Sequence, residues 1–561
     1  MTILCMNDLH LYPIPRSLTR LSGTVPAVAP VVRRLDPAIV GDEAYRLRIA
    51  DEAITLTART ATGLRWADAT LAQIRAQHPT QLPCVQIDDA PAFAHRGFML
   101  DISRDRVPSL KTLFQLVDLI ASLKGNRLQL YVEHTLAYRG HEDVWRGCSP
   151  LKLEELAALD AYCIGKGVAL DANQNCLGHV ERWLKHPQYT PLGEIDRGRM
   201  QNGKWYVEPN TLCPGDPRSL ALVEDLLHQQ LPIVSGAYAN IGCDEPWDLG
   251  HGRSKADCDR DGRGKVFSRW VTQVAGIAKS LGKIPQYWCD PHPNEDDGLP
   301  RDMIALVWGY EHDEDFATRT AAHRAAGRTV WVAPGTGSWN STTSRTWYRR
   351  ANLARAAAQA GPAEGYLLTE WGDGGHHQPW PITLVGVADG MQSAWAGGDR
   401  FDDEALGLAV FGSVAAGRWF CDLGNADQEL TLLVRNTNAS MKDAWMHWGD
   451  HPNVDSIPQW QVTSQRFSDL IATIPDGWWA EEGRFGARFA QWVCDRAVFR
   501  NTGTFPAFDA RVALATRMCD LMHAHRQQWL ARCGAGGLED SLQRLRRHTN
   551  YVVYGQEMMW G

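Results

Sequence analysis

From Arg96 to about residue 395, short apolar runs alternate with longer segments whose apolar positions recur every three or four residues. The runs, at 97–102, 127–132, 168–173, 237–242, 284–288, 303–308, 329–333 and 365–371, have strand length. The segments between them, at 110–123, 153–164, 219–230, 266–281, 316–326 and 348–358, have helical spacing. Repetition of strand and helix predicts parallel βαβ units, and about eight such units over this length fit an α/β fold of the (β/α)8 TIM-barrel type. An open doubly wound sheet is the alternative, but no Gly-x-Gly-x-x-Gly opens a helix after the first strand. Before the barrel, strand-like pieces at 44–50 and 54–58 and a helical piece at 66–77 predict a small α+β domain. It closes at Asp88-Asp89-Ala90-Pro91. Beyond residue 400 the strand signal fades and helical spacing takes over at 405–418, 428–436, 486–498 and 510–532. The expected division is therefore 1–92, 93–400 and a mostly helical 401–561.

Barrel enzymes work at the C-terminal ends of their strands. Polar groups fall at all eight such ends: Asp101; Glu133 and His134; Asn173, Gln174, Asn175 and His179; Asp244 and Glu245; Asp290; Glu311; Trp339 and Asn340; Glu370 and Asp373. The most informative end is Ala239-Asn240-Ile241-Gly242-Cys243-Asp244-Glu245-Pro246-Trp247, where an apolar run delivers two adjacent carboxylates into a loop. Such a pair need not ionise alike, so one member can orient a substrate while the other works as a general acid. Alone, the pair reads as a solvated acidic turn; seven other polar strand ends favour a site.

A metal is the obvious rival, with His376-His377 and His179 with His186 as potential ligands. No His-x-x-x-His or His-Glu-x-x-His spacing occurs among them, so neither metal nor cofactor is expected. No Gly-x-Ser-x-Gly elbow supports a serine hydrolase. Cys243, beside the acid pair, is expected to be a small buried residue.

Composition sharpens this picture in three places. The chain carries 23 Trp against 14 Phe and 14 Tyr, many at the ends of apolar runs, where flat indole faces suit sugar rings. Net charge is −8 without a long basic block, which disfavours nucleic acid and anionic membrane as partners. The 13 cysteines are scattered without a Cys-x-x-Cys, no apolar run approaches bilayer-spanning length, and residues 1–8 lack a leader pattern. A cytoplasmic protein with reduced thiols is the expectation.

Four motifs in order now point to a family. Arg96-Gly97-Phe98-Met99-Leu100-Asp101-Ile102-Ser103-Arg104, Leu177-Gly178-His179, Gly242-Cys243-Asp244-Glu245 and Gly365-Tyr366-Leu367-Leu368-Thr369-Glu370-Trp371-Gly372-Asp373 resemble strand-end signatures of glycoside hydrolase family 20, the β-N-acetylhexosaminidases. The resemblance covers about residues 10–395, including the small domain before the barrel. It implies an exo-acting, retaining enzyme using substrate-assisted catalysis on an oligosaccharide or glycoconjugate. Glu245 would be the acid/base, Asp244 would hold the substrate's acetamido N–H, and His179 would support Glu245. Arg96 would bind the 3- and 4-hydroxyls, Asp373 the outer hydroxyls, and Trp288, Trp308 and Trp371 would wall the pocket. Glu133, Trp339 and Asn340 complete the substrate-binding candidates.

The chain departs from the family at the seventh strand end, where a Tyr-x-Asp is usual and Thr336-Gly337-Ser338-Trp339-Asn340 stands. It departs also at Glu133-His134-Thr135, at Asn173-Gln174-Asn175, and at Asp373 in place of a Glu. Two alternatives stay open: a retaining β-glycosidase on sugars without the acetamido group, with Asp244 or Glu370 as nucleophile, and a non-catalytic carbohydrate-binding protein. The C-terminal region offers a surface for homo-oligomerisation.

Overall fold

The first ordered elements form a sheet rather than the two strands that patterning predicts. The computed structural model describes residues 9–554 apart from 197, 202–203, 207, 290–297, 429, 431–453 and 503–506. Strands β1 (Ser17–Pro26), β2 (Val31–Leu35), β3 (Tyr45–Ala50), β4 (Ala53–Ala58) and β5 (Gln81–Asp89) pair in the order β1-β5-β3-β4-β2. Alternation puts Tyr45, Leu47 and Ile49 of β3 on the buried face. The helix Ala61–Gln77 covers that face with Trp66, Ala67, Leu71 and Ile74. Its first turn is capped by the Thr60 hydroxyl, which accepts from Gly63 N at 3.2 Å. β1 and β2 are largely exposed, so their sequences carry little apolar signal.

The eight later runs close into a parallel barrel. Its strands are β6 (His95–Asp101), β7 (Arg127–Tyr131), β8 (Ala169–Asn173), β11 (Tyr238–Asn240), β12 (Ile284–Cys289), β13 (Ile304–Trp308), β14 (Thr329–Ala333) and β15 (Gly365–Glu370). A hairpin, β9 (Arg199–Gln201) with β10 (Lys204–Tyr206), is inserted between β8 and β11. Closure comes from β15 against β6, in register from Gly365↔His95 to Glu370↔Leu100.

Inside the barrel, inward-facing amides form a polar layer. Gln129 donates to Gln286 Oε1 at 2.7 Å, and Asn173 and Asn240 donate to Gln129 Oε1 at 3.4 and 3.5 Å. An aromatic cluster including Tyr131, Trp288, Trp331, Trp339 and Trp371 also fills the interior.

The region beyond residue 400 is helical where described. The single helix expected at 405–418 is two, Asp403–Phe411 and Val414–Asn425. Gly412 takes a left-handed φ of 66°, and the Ser413 hydroxyl accepts from Ala416 N at 3.2 Å to start the second. Most of the helix expected at 428–436 lies outside the described residues. The expected segments at 486–498 and 510–532 fall within the helices Ala480–Asn501 and Phe508–Arg532. Three further helices, Trp380–Ala396, Ile457–Ala472 and Leu538–Tyr554, were not signalled. All residues of Trp380–Ala396 but the last are buried, so the segment has no polar face to reveal a period. No single described helix is long and apolar enough to cross a membrane. The described cysteines form no disulfide.

One expected site residue has a structural position instead. Arg96 stands near the N-terminal end of β6, at the floor of the barrel, and is fully buried. Its guanidinium pairs with Glu43 of the small domain and donates to Lys124 O at 2.8 Å and Phe93 O at 2.6 Å. It lies 5.5 Å from the Trp66 ring and 5.0 Å from the Trp395 ring. The correction is physical: a strand's two ends are a barrel's length apart, and Arg96 is at the wrong one for binding sugar. It fastens the small domain to the barrel. Removing it leaves Glu43 and three carbonyls, those of Phe93, Ala94 and Lys124, without their cation, so R96A is expected to lower the free energy of unfolding by about 3 kcal/mol or more in urea titration.

Candidate active site

At the C-terminal ends of the strands is a hollow of about 250 Å³ lined by Arg104, His179, Asp244, Glu245, Trp288, Trp308, Tyr310, Trp339, Trp371 and Asp373. It is the size of one sugar ring. Indole faces arise because Trp288 and Trp308 stand at the ends of β12 and β13 and Trp371 directly follows β15. Trp371 packs 5.7 Å from Trp288 and edge-on to Tyr131 at 4.7 Å. Tyr310 stacks on Trp308 at 5.3 Å and meets Trp339 edge-on at 4.8 Å. The Trp371 indole N–H donates to the Tyr310 hydroxyl at 2.8 Å, leaving that hydroxyl its own proton to give. The Trp288 N–H is buried and has no acceptor among the described residues.

The acid pair is aimed by unusual backbone. Gly242, Cys243 and Glu245 all have positive φ, at 64°, 68° and 48°, and His179 opposite them has 54°. Three non-glycine residues in the left-handed region mark stored strain that the surroundings must hold. Gly178 permits the close approach: a Cβ there would lie 2.3 Å from Asp244 O. Asn175 grips the same loop, accepting from Cys243 N and donating to Asp244 Oδ1, both at 3.0 Å. Cys243 itself is fully buried, as expected.

Electrostatics then tie the acids together. His179 Nε2 lies 3.3 Å from Glu245 Oε2 and 3.6 Å from Asp244 Oδ2, and its Nδ1 lies 3.8 Å from Glu133 Oε1. Burial works against charge on this imidazole, but Asp244, with Glu245, outweighs it and holds its pKa well above the usual value. Glu133 stands just behind the hollow, where burial pushes its carboxyl up to about 8 against the pull of Arg104 and His179. It accepts from the Tyr131 hydroxyl at 3.0 Å.

Arg104, three residues past Asp101, is the cation of the pocket wall. It reaches Asp101 at 3.1 Å, Glu133 at 3.2 Å and Asp373 at 2.7 Å. Asp101 also accepts from Gly372 N at 2.8 Å, which joins the first strand end to the last.

Five of the polar strand-end residues, His134, Asn173, Gln174, Glu311 and Glu370, do not line the hollow. His134 turns away to Asp105 at 2.7 Å, within a buried trio completed by Cys148. Asp105 is already paired with Arg182 at 3.0 Å. Asn173 belongs to the amide layer, Gln174 accepts from the Tyr138 hydroxyl at 2.5 Å, and Glu311 takes the Tyr348 hydroxyl. Glu370 points outward, as the residue between two inward-facing neighbours must, and its Oε1 accepts from the Thr383 hydroxyl at 2.5 Å. It cannot serve as a nucleophile in the hollow. Trp339 and Asn340 lie in a short 3-10 turn, the Asn340 side chain being outside the described residues, as is Asp290.

Sequence reasoning missed Arg104 and Tyr310. Both carried a signal: Arg104 ends the quoted first-strand motif, and Tyr310 stands two residues after Trp308, on the same face of an extended segment.

The chain matches the glycosyl hydrolase family 20 domain 2 at residues 15–90 and that family's catalytic domain at 148–347. It is 25% identical over 292 residues to a β-hexosaminidase of Akkermansia muciniphila, covering 45% of this chain and 57% of that one. It is 26% identical over 350 residues to a β-N-acetylhexosaminidase of Cellulomonas fimi, covering 57% and 65%. Each match thus spans less than two thirds of the relative. In fold, the chain is similar to the Flavobacterium johnsoniae chitobiase, with a TM-score of 0.60, 16% identity and coverage of 97% of this chain and 92% of that one. By these two matches, residues 15–90 and 148–347 of the chain are a domain 2 and a catalytic domain of glycoside hydrolase family 20.

Proposed function

We propose that the chain is an exo-acting, retaining β-N-acetylhexosaminidase that works by substrate-assisted catalysis. One observation carries the reading: Asp244 and Glu245, side by side, share His179 at the rim of an indole-walled hollow of single-sugar size. Glu245, the more exposed of the two, gives its proton to the departing glycosidic oxygen and later takes one from water. The substrate's acetamido oxygen attacks the anomeric carbon as the bond to the leaving group breaks, and water then opens the cyclic intermediate with retention. Asp244, oriented through Asn175, accepts the acetamido N–H and balances the positive charge that develops.

Tyr310, which lines the hollow, is the donor placed to fix the acetamido carbonyl. This is the task for which the usual strand-seven tyrosine is missing here. Arg104 takes the place expected of Arg96 and joins Asp373, the expected partner of the outer hydroxyls, on that wall of the hollow. Because the nucleophile arrives with the sugar, the protein has only to position it and to stabilise charge. The relatives' names, β-hexosaminidase and β-N-acetylhexosaminidase, agree with this reading. The substrate is an oligosaccharide or glycoconjugate end.

E245Q is expected to lower kcat on an activated aryl N-acetyl-β-glucosaminide modestly, and on a poor leaving group by about 100-fold or more, with binding retained. D244N is expected to lose kcat with no rescue by azide. Azide rescue, or wild-type turnover of β-glucosides or β-galactosides alone, would replace this reading with one in which Asp244 is the nucleophile.

Glu133 generates a pH prediction. Its folded pKa, about 8, lies above its ordinary value of 4.5, so what it contributes to stability is present below pH 4.5 and lost as pH rises through 8. Thermal unfolding of E133Q and the wild type should therefore diverge with pH, the variant gaining relative to the wild type between pH 5 and 9.

A further inference from the structure

Three loops of the candidate site converge on one short stretch of the C-terminal region, residues 532–541, which runs from the last residue of the helix Phe508–Arg532 into the first turn of the helix Leu538–Tyr554. The loop after β6, which carries Arg104, is held by Ser109 N to Arg532 O at 2.8 Å and by Gly534 N to Val107 O at 3.0 Å. Thr112 adds a hydroxyl bond to Arg532 O at 2.9 Å, and Arg106 lies 5.5 Å from the Trp529 ring.

The loop after β15, which carries Asp373, is held by Ser541. Its buried hydroxyl donates to Gly375 O at 2.5 Å and accepts from His525 Nε2 at 2.9 Å, while its carbonyl accepts from His377 Nε2 at 3.1 Å. The loop after β8, which carries His179, is held by Arg182, which bridges Asp105 and Asp540 at 3.0 Å each. One turn on, Arg544 lies across Gly375, with its Cδ 3.0 Å from where a Cβ would stand.

We infer that residues 532–541 are a brace that completes the sugar site, with Ser541 and Asp540 as positioning residues. Neither lines the hollow. Ser541 acts through the Gly375 carbonyl, two residues from Asp373. Asp540 acts through Arg182 on Asp105, next to Arg104. The loop of Asp244 and Glu245 has its own support from Asn175 and Gly178, so slackening the brace should loosen the grip on the outer hydroxyls and leave the acid pair in place. The inference rests on the reading of Arg104 and Asp373 as partners of those hydroxyls.

The test compares wild type, S541A, S541T and D540A on aryl glycosides of the intact sugar and of its 4-deoxy and 6-deoxy analogues. The expected result for S541A is a KM raised about fivefold or more on the intact sugar, with kcat within about twofold. The penalty should shrink on at least one deoxy analogue, where the lost partner no longer matters. S541T, which restores the hydroxyl, should recover most of the affinity. D540A, whose side chain is 60% exposed and so does not threaten folding, should show a smaller effect of the same kind. An unchanged KM, or an equal penalty on intact and deoxy sugars, overturns the inference; should S541A fail to fold, D540A decides by the same two outcomes. Failure of the underlying reading shows separately, in the wild type: if neither the 4-deoxy nor the 6-deoxy sugar raises its KM, Arg104 and Asp373 do not hold those hydroxyls.

Discussion

A single imidazole, His179, is surrounded by Asp244, Glu245 and Glu133 within 4 Å, and the layout of the site follows from keeping those charges together. Buried like charges are tolerated only when a cation or a proton intervenes. The structure uses both devices. His179 is kept cationic by its neighbours, and burial keeps Glu133 protonated up to about pH 8. Arg104 repeats the arrangement on the other side with Asp101, Glu133 and Asp373. Glu133 touches both clusters, so the second strand end links the acid pair to the wall of the hollow formed by Arg104 and Asp373.

Holding these groups at such distances requires backbone that most residues avoid. Left-handed conformations at His179, Cys243 and Glu245 lie where the third and fourth strand ends meet, and Gly178 permits the contact. Strain of this kind is sustained by rigid surroundings. Here they are the hydrogen-bonded Asn175 and a barrel closed by β15 on β6. Below, the matched amides of Gln129, Asn173, Asn240 and Gln286 fix the register of neighbouring strands from within.

The barrel was legible in the chain because each of its strands is an apolar run. The segment expected at 329–333 is β14 (Thr329–Ala333), and the other seven differ by a few residues at their ends. The acid pair, His179 and the indoles were legible for a related reason, since a barrel gathers whatever stands at its strand ends. Arg96 shows where that reading was not applied: its position at the start of the strand already places it at the opposite end from Arg104. Glu370 shows the limit of listing strand-end polar groups without parity, for one step along a strand reverses the direction of a side chain. The C-terminal region was least legible. Its break at Gly412-Ser413 was written in a glycine and a capping serine, but the contacts of Ser541 and Asp540 depend on tertiary folding that no local pattern encodes.

The indole N–H of Trp288 has a wider consequence. A buried donor without an acceptor among the described residues costs about 1–3 kcal/mol, and that cost is met when the chain folds, before any sugar arrives. A ligand that draws the indole round so that this N–H meets a carbonyl or hydroxyl relieves the penalty, whereas one that offers only a methylene does not. The folding equilibrium therefore already holds part of the energy that separates one ligand from another, and robustness and selectivity draw on the same atom.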